Sequence, residues 1–443
     1  MSWARGKLTR KTVYNSEGTQ VAQTNVSYTN YGDQTSNIGQ SGYQWIVGRW
    51  GGYLYVNCGN SVDGKEINLM NLAKTTGNYK ETTRSETLNF SGVAQTTTTT
   101  KAFNPTYLQP TYEEQIVSSN PEIVRTSFRY PFDIVNTSST YTGLPDALKQ
   151  MLLKNMLAYP VEQYTWVKPT SGSTQQIVGG QVTEYDLIPG TNFYQSKYLH
   201  LLEVASLGSS YTTVQVSGSS ALTRDGRYKL RLTMDSYDTR GNLLQYSLSD
   251  GQIKSFLYAY EGQYAVAEAT NSPGSTLAFT SFETNEKGGW TYSGPESRVM
   301  QGEGKTGNSV YLLNNGDITK AYKGAYKLSL WVRKNTSSSA SMTINGVDYG
   351  SQVGTSWKLI EVTGSGGTIT ISGSNTMVDE LRVHAAAGMA TSFTILPMVG
   401  ILTQLDSKNL GTYYRYDPFG RLETVRNEDG HLLNLYDYIY IKP

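Results

Sequence analysis

The 443-residue chain contains one cysteine, Cys58, and three histidines, His200, His384 and His431. A lone thiol excludes an intrachain disulfide, and three histidines in unrelated segments exclude a Cys/His zinc cluster. Stability must therefore come from packing and strand pairing. Charge is also scarce: 16% of residues are charged, and 37 Lys and Arg face 36 Asp and Glu for a net charge of +1. This balance excludes a general field that would attract nucleic acid or an anionic membrane. No run approaches the roughly 20 apolar residues of a membrane span, and the opening residues lack the apolar stretch of a signal peptide. Among catalytic motifs, the Gly-x-Ser-x-Gly elbow, His-Glu-x-x-His and the phosphate loop are missing. The adjacent carboxylates Asp379 and Glu380 are expected on opposite faces of a strand, which is wrong for paired acid–base work. The expectation is a protein that is not an enzyme.

What the chain does have is tyrosine (34 residues), glycine (44) and an aromatic share of 12%. Its polarity comes mainly from Ser, Thr, Asn, Gln and Gly, a profile that suits strands. The length predicts several cores, since one core stops growing at roughly 250–300 residues. One helix is expected over 145–157, with Leu148, Met151, Leu152 and Met156 near one face, Pro145 in the first turn and Pro160 beyond the end. Elsewhere the sequence reads as strand, including the threonine tract from Gln95 to Thr100, with turn chemistry at points such as Ser61-Val62-Asp63-Gly64.

One turn recurs. Asp417-Pro418-Phe419-Gly420 has the residues of a type I turn, and Asp238-Thr239-Arg240-Gly241, Asn427-Glu428-Asp429-Gly430 and Asn15-Ser16-Glu17-Gly18 repeat its outer positions. Gly241 to Gly251 and Gly420 to Gly430 are both ten residues apart, enough for one short strand and one turn. The last strand is expected to carry Leu433, Leu435, Ile439 and Ile441 on one face and Tyr436, Tyr438 and Tyr440 on the other. Tyr258 and Tyr260 repeat the Tyr-x-Tyr pattern. Such tyrosines are expected to pair across strands as a ladder; the other reading is a sugar-binding aromatic platform.

Two segments, Tyr237 to Tyr260 and Tyr416 to Tyr438, share Tyr-Asp-x-x-Gly-(Arg/Asn)-Leu, then Gly, then Tyr-x-Tyr. This pattern resembles the YD repeats of RHS proteins. With Met151 to Gln163, Tyr228-Lys-Leu-Arg-Leu, Tyr260 to Glu268 and the ending Tyr436 to Tyr440, most of 140–443 resembles the secreted RHS-repeat proteins of Gram-negative gliding and gut bacteria. The resemblance implies hairpins wound into a curling sheet, which in some members closes around a cargo. It also implies an extracellular or outer-surface location and type IX export, while the opening in strand-like sequence leads to the expectation of a region upstream of Met1. Tyr237, Asp238, Gly241, Gly251, Tyr258, Tyr260, Tyr416, Asp417, Gly420, Gly430, Tyr436 and Tyr438 are its structural repeat residues. The chain departs from the toxin-carrying members, since Asp417-Pro418-Phe419-Gly420 belongs to an ordinary repeat and not to a Gly-rich, Asn-Pro-containing cleavage core, so neither self-cleavage nor a toxin of its own is expected.

Between the clear repeats, residues 276–386 carry strand-length runs separated by Gly, Asn and Ser, as in a β-sandwich. Their order resembles jelly-roll modules related to carbohydrate-binding domains. That resemblance makes Glu283 and Asp379 candidate ligands of a structural calcium; the alternative is a hydrogen-bonded carboxylate pair closing the sandwich. Trp290, Trp331 and Trp357 are candidates for sugar stacking or for core. The expected fold is thus all-β: a curled antiparallel YD-repeat sheet of short hairpins with one inserted sandwich and one short helix. The expected domains are 1–140, β-rich; 141–275, YD-repeat region with the helix; 276–386, sandwich; and 387–443, C-terminal hairpins. The expected function is a non-enzymatic extracellular structural protein of a β-shell or surface assembly. Its expected partners are other protein chains or an upstream part of the same polypeptide. The alternative is glycan binding through the sandwich.

Overall fold

The computed structural model describes residues 7–36, 49–50, 53–54, 74–90, 93–172, 174–203, 210–292, 298–299 and 304–438. Cys58, the turn at Ser61–Gly64, Ile439, Tyr440 and Ile441 lie outside them. The chain is almost entirely antiparallel β and divides into two compact units, 1–182 with 201–228, and 183–200 with 229–443. The expected boundary at residue 140 falls inside the first unit, because strand Asn120–Arg129 pairs directly with Glu162–Pro169 across the helical segment.

The first unit is a meander. Strands Gln20–Ser36, Lys74–Phe90, Val93–Phe103, Pro110–Val117, Asn120–Arg129, Glu162–Pro169 and the Gln176–Val182 part of Gln176–Leu187 each pair antiparallel with the next. The threonine tract is a strand, and β-branched residues suit its pleated surface. Its hydroxyls bond across the ladder, Thr87 with Thr96 at 2.9 Å and Ser85 with Thr98 at 3.1 Å. Polar side chains thus satisfy one another on a sheet with few large apolar groups.

The helix spans Gly143–Leu153 and buries Pro145, Ala147, Leu148, Met151 and Leu152. It stops four residues short of the expected end, so Met156 lies beyond it. Asn155 takes a left-handed backbone (φ 58°), and the N–H groups of Asn155 and Met156 donate back to Leu152 and Met151. Asparagine tolerates this conformation, and the paired bonds satisfy carbonyls that the helix end leaves open.

The second unit holds the hairpins. Tyr228–Tyr237, Leu243–Leu248, Ile253–Ala259 and Tyr264–Thr270 pair in sequence. The next partner of Tyr264–Thr270 is Met389–Leu396, with Ala267 opposite Ser392. Gly400–Leu405, Gly411–Tyr416, Leu422–Arg426 and Leu432–Leu435 then continue the ladder. The intervening residues interrupt the chain but not the sheet.

Those residues form the expected β-sandwich. One sheet pairs Arg298–Val299, Ser309–Leu312, Thr376–Ala385, Ala325–Lys334 and Lys358–Ser365, with Ala278–Thr280 beside Thr376–Ala385. The other pairs Thr291–Tyr292, Ile318–Ala321, Thr368–Ser374, Ser341–Ile344 and Val347–Asp348. Alternate residues of Ala325–Lys334, among them Tyr326, Leu328, Leu330 and Val332, enter a core shared with Phe282, Tyr311, Ile344, Ile369 and Leu381. This period-2 alternation is the pattern that a strand with one buried face requires.

Candidate functional site

The repeated turn is built as its residues demand. In Asp238–Gly241 the Gly241 N–H donates to the Asp238 carbonyl, and Asp238 Oδ1 accepts the N–H groups of Arg240 and Asn242 at 2.9 and 2.8 Å. In Asp417–Gly420 the same oxygen accepts from Phe419 and Arg421 at 2.9 and 3.0 Å. Gly241, Gly251, Gly420 and Gly430 all have φ between 75° and 90°. The turn is thus a type I turn followed by a left-handed residue, the three-residue hairpin loop that admits glycine best. A further copy at Asp406–Asn409 escapes the sequence pattern because Asn409 (φ 61°) takes the glycine place. The side-chain bond from Arg421, followed by the turn N–H groups, holds the Asp417 carboxyl below its ordinary range. Gly420→Val should cost about 1–2 kcal/mol, the penalty of a left-handed backbone for a side chain. Chemical denaturation reads this, and an unchanged midpoint would contradict the conformational argument.

The repeat tyrosines act mainly as latches and not as a ring ladder, although Tyr260 also meets the Tyr264 ring edge-on at 5.6 Å. Tyr237 donates its hydroxyl to the Ser196 carbonyl (2.6 Å), Tyr260 to Ile395 (3.0 Å), Tyr416 to Ile401 (2.9 Å) and Tyr438 to Leu422 (2.9 Å). Each hydroxyl thus latches a main-chain oxygen of another strand. Tyr258 is half-buried, and burial pushes its phenol up. Tyr436 is exposed beyond the last described strand, Leu432–Leu435, whose Leu433 and Leu435 are also exposed. The Arg421 guanidinium sits 4.3 Å from the Tyr438 ring centre, a cation–π contact in place of a ring pair.

Glu283 and Asp379 are brought to one loop, together with a third carboxyl. Glu283 Oε1 accepts the N–H groups of Asn308 and Ser309 at 2.8 and 2.7 Å, and Asp379 Oδ2 accepts that of Thr306 at 3.0 Å. Glu380 does not point away from Asp379 as strand alternation predicts. It has φ 49°, and the register with Ala325–Lys334 shifts between Ser329 and Trp331. The bulge turns Glu380 so that its Oε1 accepts the hydroxyls of Thr306 and Thr394 at 2.5 and 3.0 Å, while Oε2 takes Ser392 at 3.0 Å.

Calcium fits this arrangement poorly. It needs six to eight oxygens, yet Asp379 and Glu283 are turned toward N–H donors, with Asp379 Oδ1 on the Glu380 N–H at 2.7 Å. Among the described residues no group of three or more His, Cys, Asp or Glu is arranged to hold a metal. The geometry fits the other reading, carboxyls that clamp the 304–309 loop.

Burial first, then mutual repulsion, pushes the Asp379 carboxyl well above its ordinary range; burial also raises Glu380 and Glu283. Carboxyls raised by folding contribute stability that is complete below their unfolded values and is lost as pH rises through the folded ones. Relative to wild type, Glu380→Gln should therefore become progressively more stable as pH climbs above about 4.3, the unfolded glutamate value. Denaturation midpoints of both proteins across a pH series would show this, and a pH-independent difference would refute it.

Arg382 and its neighbours join the sandwich to the hairpin sheet. Arg382 is 1% exposed and donates to Asn409 Oδ1 (2.6 Å) and the Asp406 carbonyl (3.0 Å). Burial lowers its pKa to about 10, opposed by the charge of Glu380. Asn409 completes the network, accepting from Ser329 Oγ at 3.2 Å and donating to Glu361 Oε1 at 3.1 Å. Nearby, Lys305 pairs with Glu428 and lies 4.2 Å from the Trp331 ring centre, while Glu428 Oε2 holds Gly411 N–H and Tyr413 OH at 2.9 and 3.0 Å. An apolar patch completes the joint, with Leu277 and Phe279 packed against Ala259, Val266, Ala267, Ala390 and Ile395.

Sequence reasoning assigns none of Glu380, Arg382, Asn409, Lys305 and Glu428 to a site. The available signal is the run of Asp379, Glu380 and Arg382, three charges within four residues of one strand. The three tryptophans also find their places: Trp290 is in the core, Trp331 is covered by Lys305, and Trp357 has the Arg333 guanidinium 5.2 Å from its ring centre. His200 and His384 are buried in different strands and His431 follows a turn, so the histidines do not converge.

No family model matches the chain, and no curated protein is detectably similar to it. Similar solved structures include the CBM22-1 xylan-binding domain of Paenibacillus barcinonensis Xyn10C. That match has 17% identity and a TM-score of 0.19, and covers 25% of this chain and 94% of the domain. The TcdB2–TccC3–Cdc42 structure is 13% identical with a TM-score of 0.19, and the match covers 94% of this chain and 18% of that one. TcdB2–TccC3 without its hypervariable C-terminal region gives 13% identity, a TM-score of 0.19 and coverages of 97% and 24%. The chain thus spans at most about a quarter of the length of the toxin-complex chains it matches.

Proposed function

We propose that the chain is a non-enzymatic structural protein, a length of YD-repeat sheet that forms part of an extracellular shell or surface assembly and makes its contacts with other protein. The observation that carries this reading is the repeated turn with its tyrosine latch. At Asp238 and Asp417 the carboxylate is occupied by two main-chain N–H groups of its own turn. At Tyr237 and Tyr416 the hydroxyl is occupied by a carbonyl of another strand. The polar groups that repeat along the chain thus serve the sheet. The sandwich adds a second body fixed to that sheet through Arg382, Glu428 and an apolar patch. Glycan binding has less support, since Trp290, Trp331 and Trp357 are each engaged by the protein.

Antibody labelling and protease shaving of intact producing cells test the location, and a glycan array with the full chain tests the alternative. Surface labelling without glycan binding is the expected result. A protein confined to the cytosol would overturn the extracellular reading, and saturable binding to one glycan class would replace it with the carbohydrate one.

A further inference from the structure

Lys327, Ser329 and Trp331 alternate along Ala325–Lys334 with the core residues Tyr326, Leu328, Leu330 and Val332, so they stand on the outer face of their sheet. Glu361 lies opposite Ser329 in the neighbouring strand. A single oxygen of Glu361, Oε1, receives two nitrogens: Lys327 Nζ at 2.9 Å and Asn409 Nδ2 at 3.1 Å. The other end of the same carboxamide is held as firmly. Asn409 Oδ1 accepts from Arg382 Nη2 at 2.6 Å and from Ser329 Oγ at 3.2 Å, and Asn409 is only 3% exposed. An amine, a carboxylate within reach of both nitrogens and a carboxamide whose oxygen faces a guanidinium are the parts of an acyl-transfer site.

We propose that Lys327 and Asn409 become joined by an isopeptide bond, formed by the chain itself with Glu361 carrying the proton. Glu361 takes a proton from the Lys327 ammonium, within the reach that general-base catalysis needs. The freed lone pair attacks Asn409 Cγ, and the charge that develops on Oδ1 is met by Arg382 and Ser329, donors already in place. A second proton passes from the attacking nitrogen to Nδ2 through Glu361. The Cγ–Nδ2 bond then breaks with its electron pair, and nitrogen leaves as ammonia, which takes up the proton held by Glu361. One amine and one carboxamide become one secondary amide and ammonium, with no change of oxidation state and no co-reactant. Holding both nitrogens on one carboxylate oxygen brings the amine beside the carboxamide it is to attack, the kind of placement that lowers the entropic cost of reaction. The side chains of Lys327 and Glu361 are 33% and 41% exposed, which leaves ammonia a path to solvent. The product would tie the sandwich covalently to the hairpin turn at Asp406–Asn409.

Intact-mass measurement on the full chain tests this, followed by peptide mapping. The expected protein is lighter than its sequence by one ammonia and yields a branched peptide joining Lys327 to Asn409. Glu361→Gln should have the full sequence mass and no branched peptide. Lys327→Arg keeps a cation beside Glu361, should fold with an unchanged circular dichroism spectrum, and should also be unlinked. A wild-type chain at full mass, an ammonia loss mapped to other residues, or a Lys327–Asn409 link that persists in Glu361→Gln would each overturn the proposal.

Discussion

Arg382→Met is expected to destabilise the unit formed by 183–200 and 229–443 by about 3–5 kcal/mol, the usual cost of removing one partner from a buried charge network. Methionine fills much of the same volume, so the loss is electrostatic. Glu380 would stay buried without its nearby cation, and Asn409 Oδ1 and the Asp406 carbonyl would each lose a donor. A double-mutant cycle with Glu380→Gln separates the two parts. The double variant should lose clearly less than the sum of the single losses, because a neutral carboxamide in place of the Glu380 carboxylate no longer needs the guanidinium. Urea titration followed by tryptophan fluorescence measures this, and a loss below about 1 kcal/mol in Arg382→Met would place Arg382 among ordinary surface charges.

Glu162→Ala should have a comparable effect in the other unit. Glu162 is fully buried at the start of strand Glu162–Pro169. Its Oε1 accepts the Tyr211 hydroxyl at 2.6 Å, and its Oε2 accepts Val214 N–H at 2.9 Å and Arg129 Nη1 at 3.1 Å. Tyr211 in turn shares a 2.7 Å hydroxyl contact with Tyr228. Burial first, then the nearby Glu162 carboxylate, pushes the Tyr211 phenol far above its ordinary value, so this hydroxyl remains a donor at all working pH. Alanine would leave the Val214 N–H and the Tyr211 hydroxyl without this acceptor and strip Arg129 of its carboxylate, though Arg129 keeps the Val214 and Asp133 carbonyls, again at a cost of about 3–5 kcal/mol. Glu162→Gln keeps the shape and one acceptor and should lose distinctly less. Equal stability of Glu162→Ala and wild type in urea would show that water replaces the carboxylate freely.

The local features are legible in sequence because their causes are local. An Asp three residues before a Gly specifies the turn through its own oxygen and its neighbours' N–H groups, whatever the rest of the chain does. Threonine runs and period-2 alternation identify strands in the same way. The helix is legible but its end is not, since the left-handed stop at Asn155 depends on a bond to Met151 that composition does not reveal. The Asp406–Asn409 turn escapes for a similar reason: asparagine occupies left-handed backbone less often than glycine, so it signals the turn weakly.

Side-chain period and turn chemistry, each acting within a few residues, are enough to specify an all-β chain, the turns that space its hairpins and a β-sandwich between two repeats. They do not specify that Tyr264–Thr270 pairs with Met389–Leu396, which leaves the sheet whole around the sandwich. Nor do they specify that a bulge turns Glu380 toward Thr306, that the repeat tyrosines latch carbonyls, or that Lys327, Glu361, Asn409 and Arg382 meet. Those arrangements belong to the tertiary structure. Their groups come from segments up to 135 residues apart, as the Tyr260–Ile395 bond shows. Their meeting is fixed by how the sandwich seats on the sheet, a matter of long-range packing that no short pattern encodes.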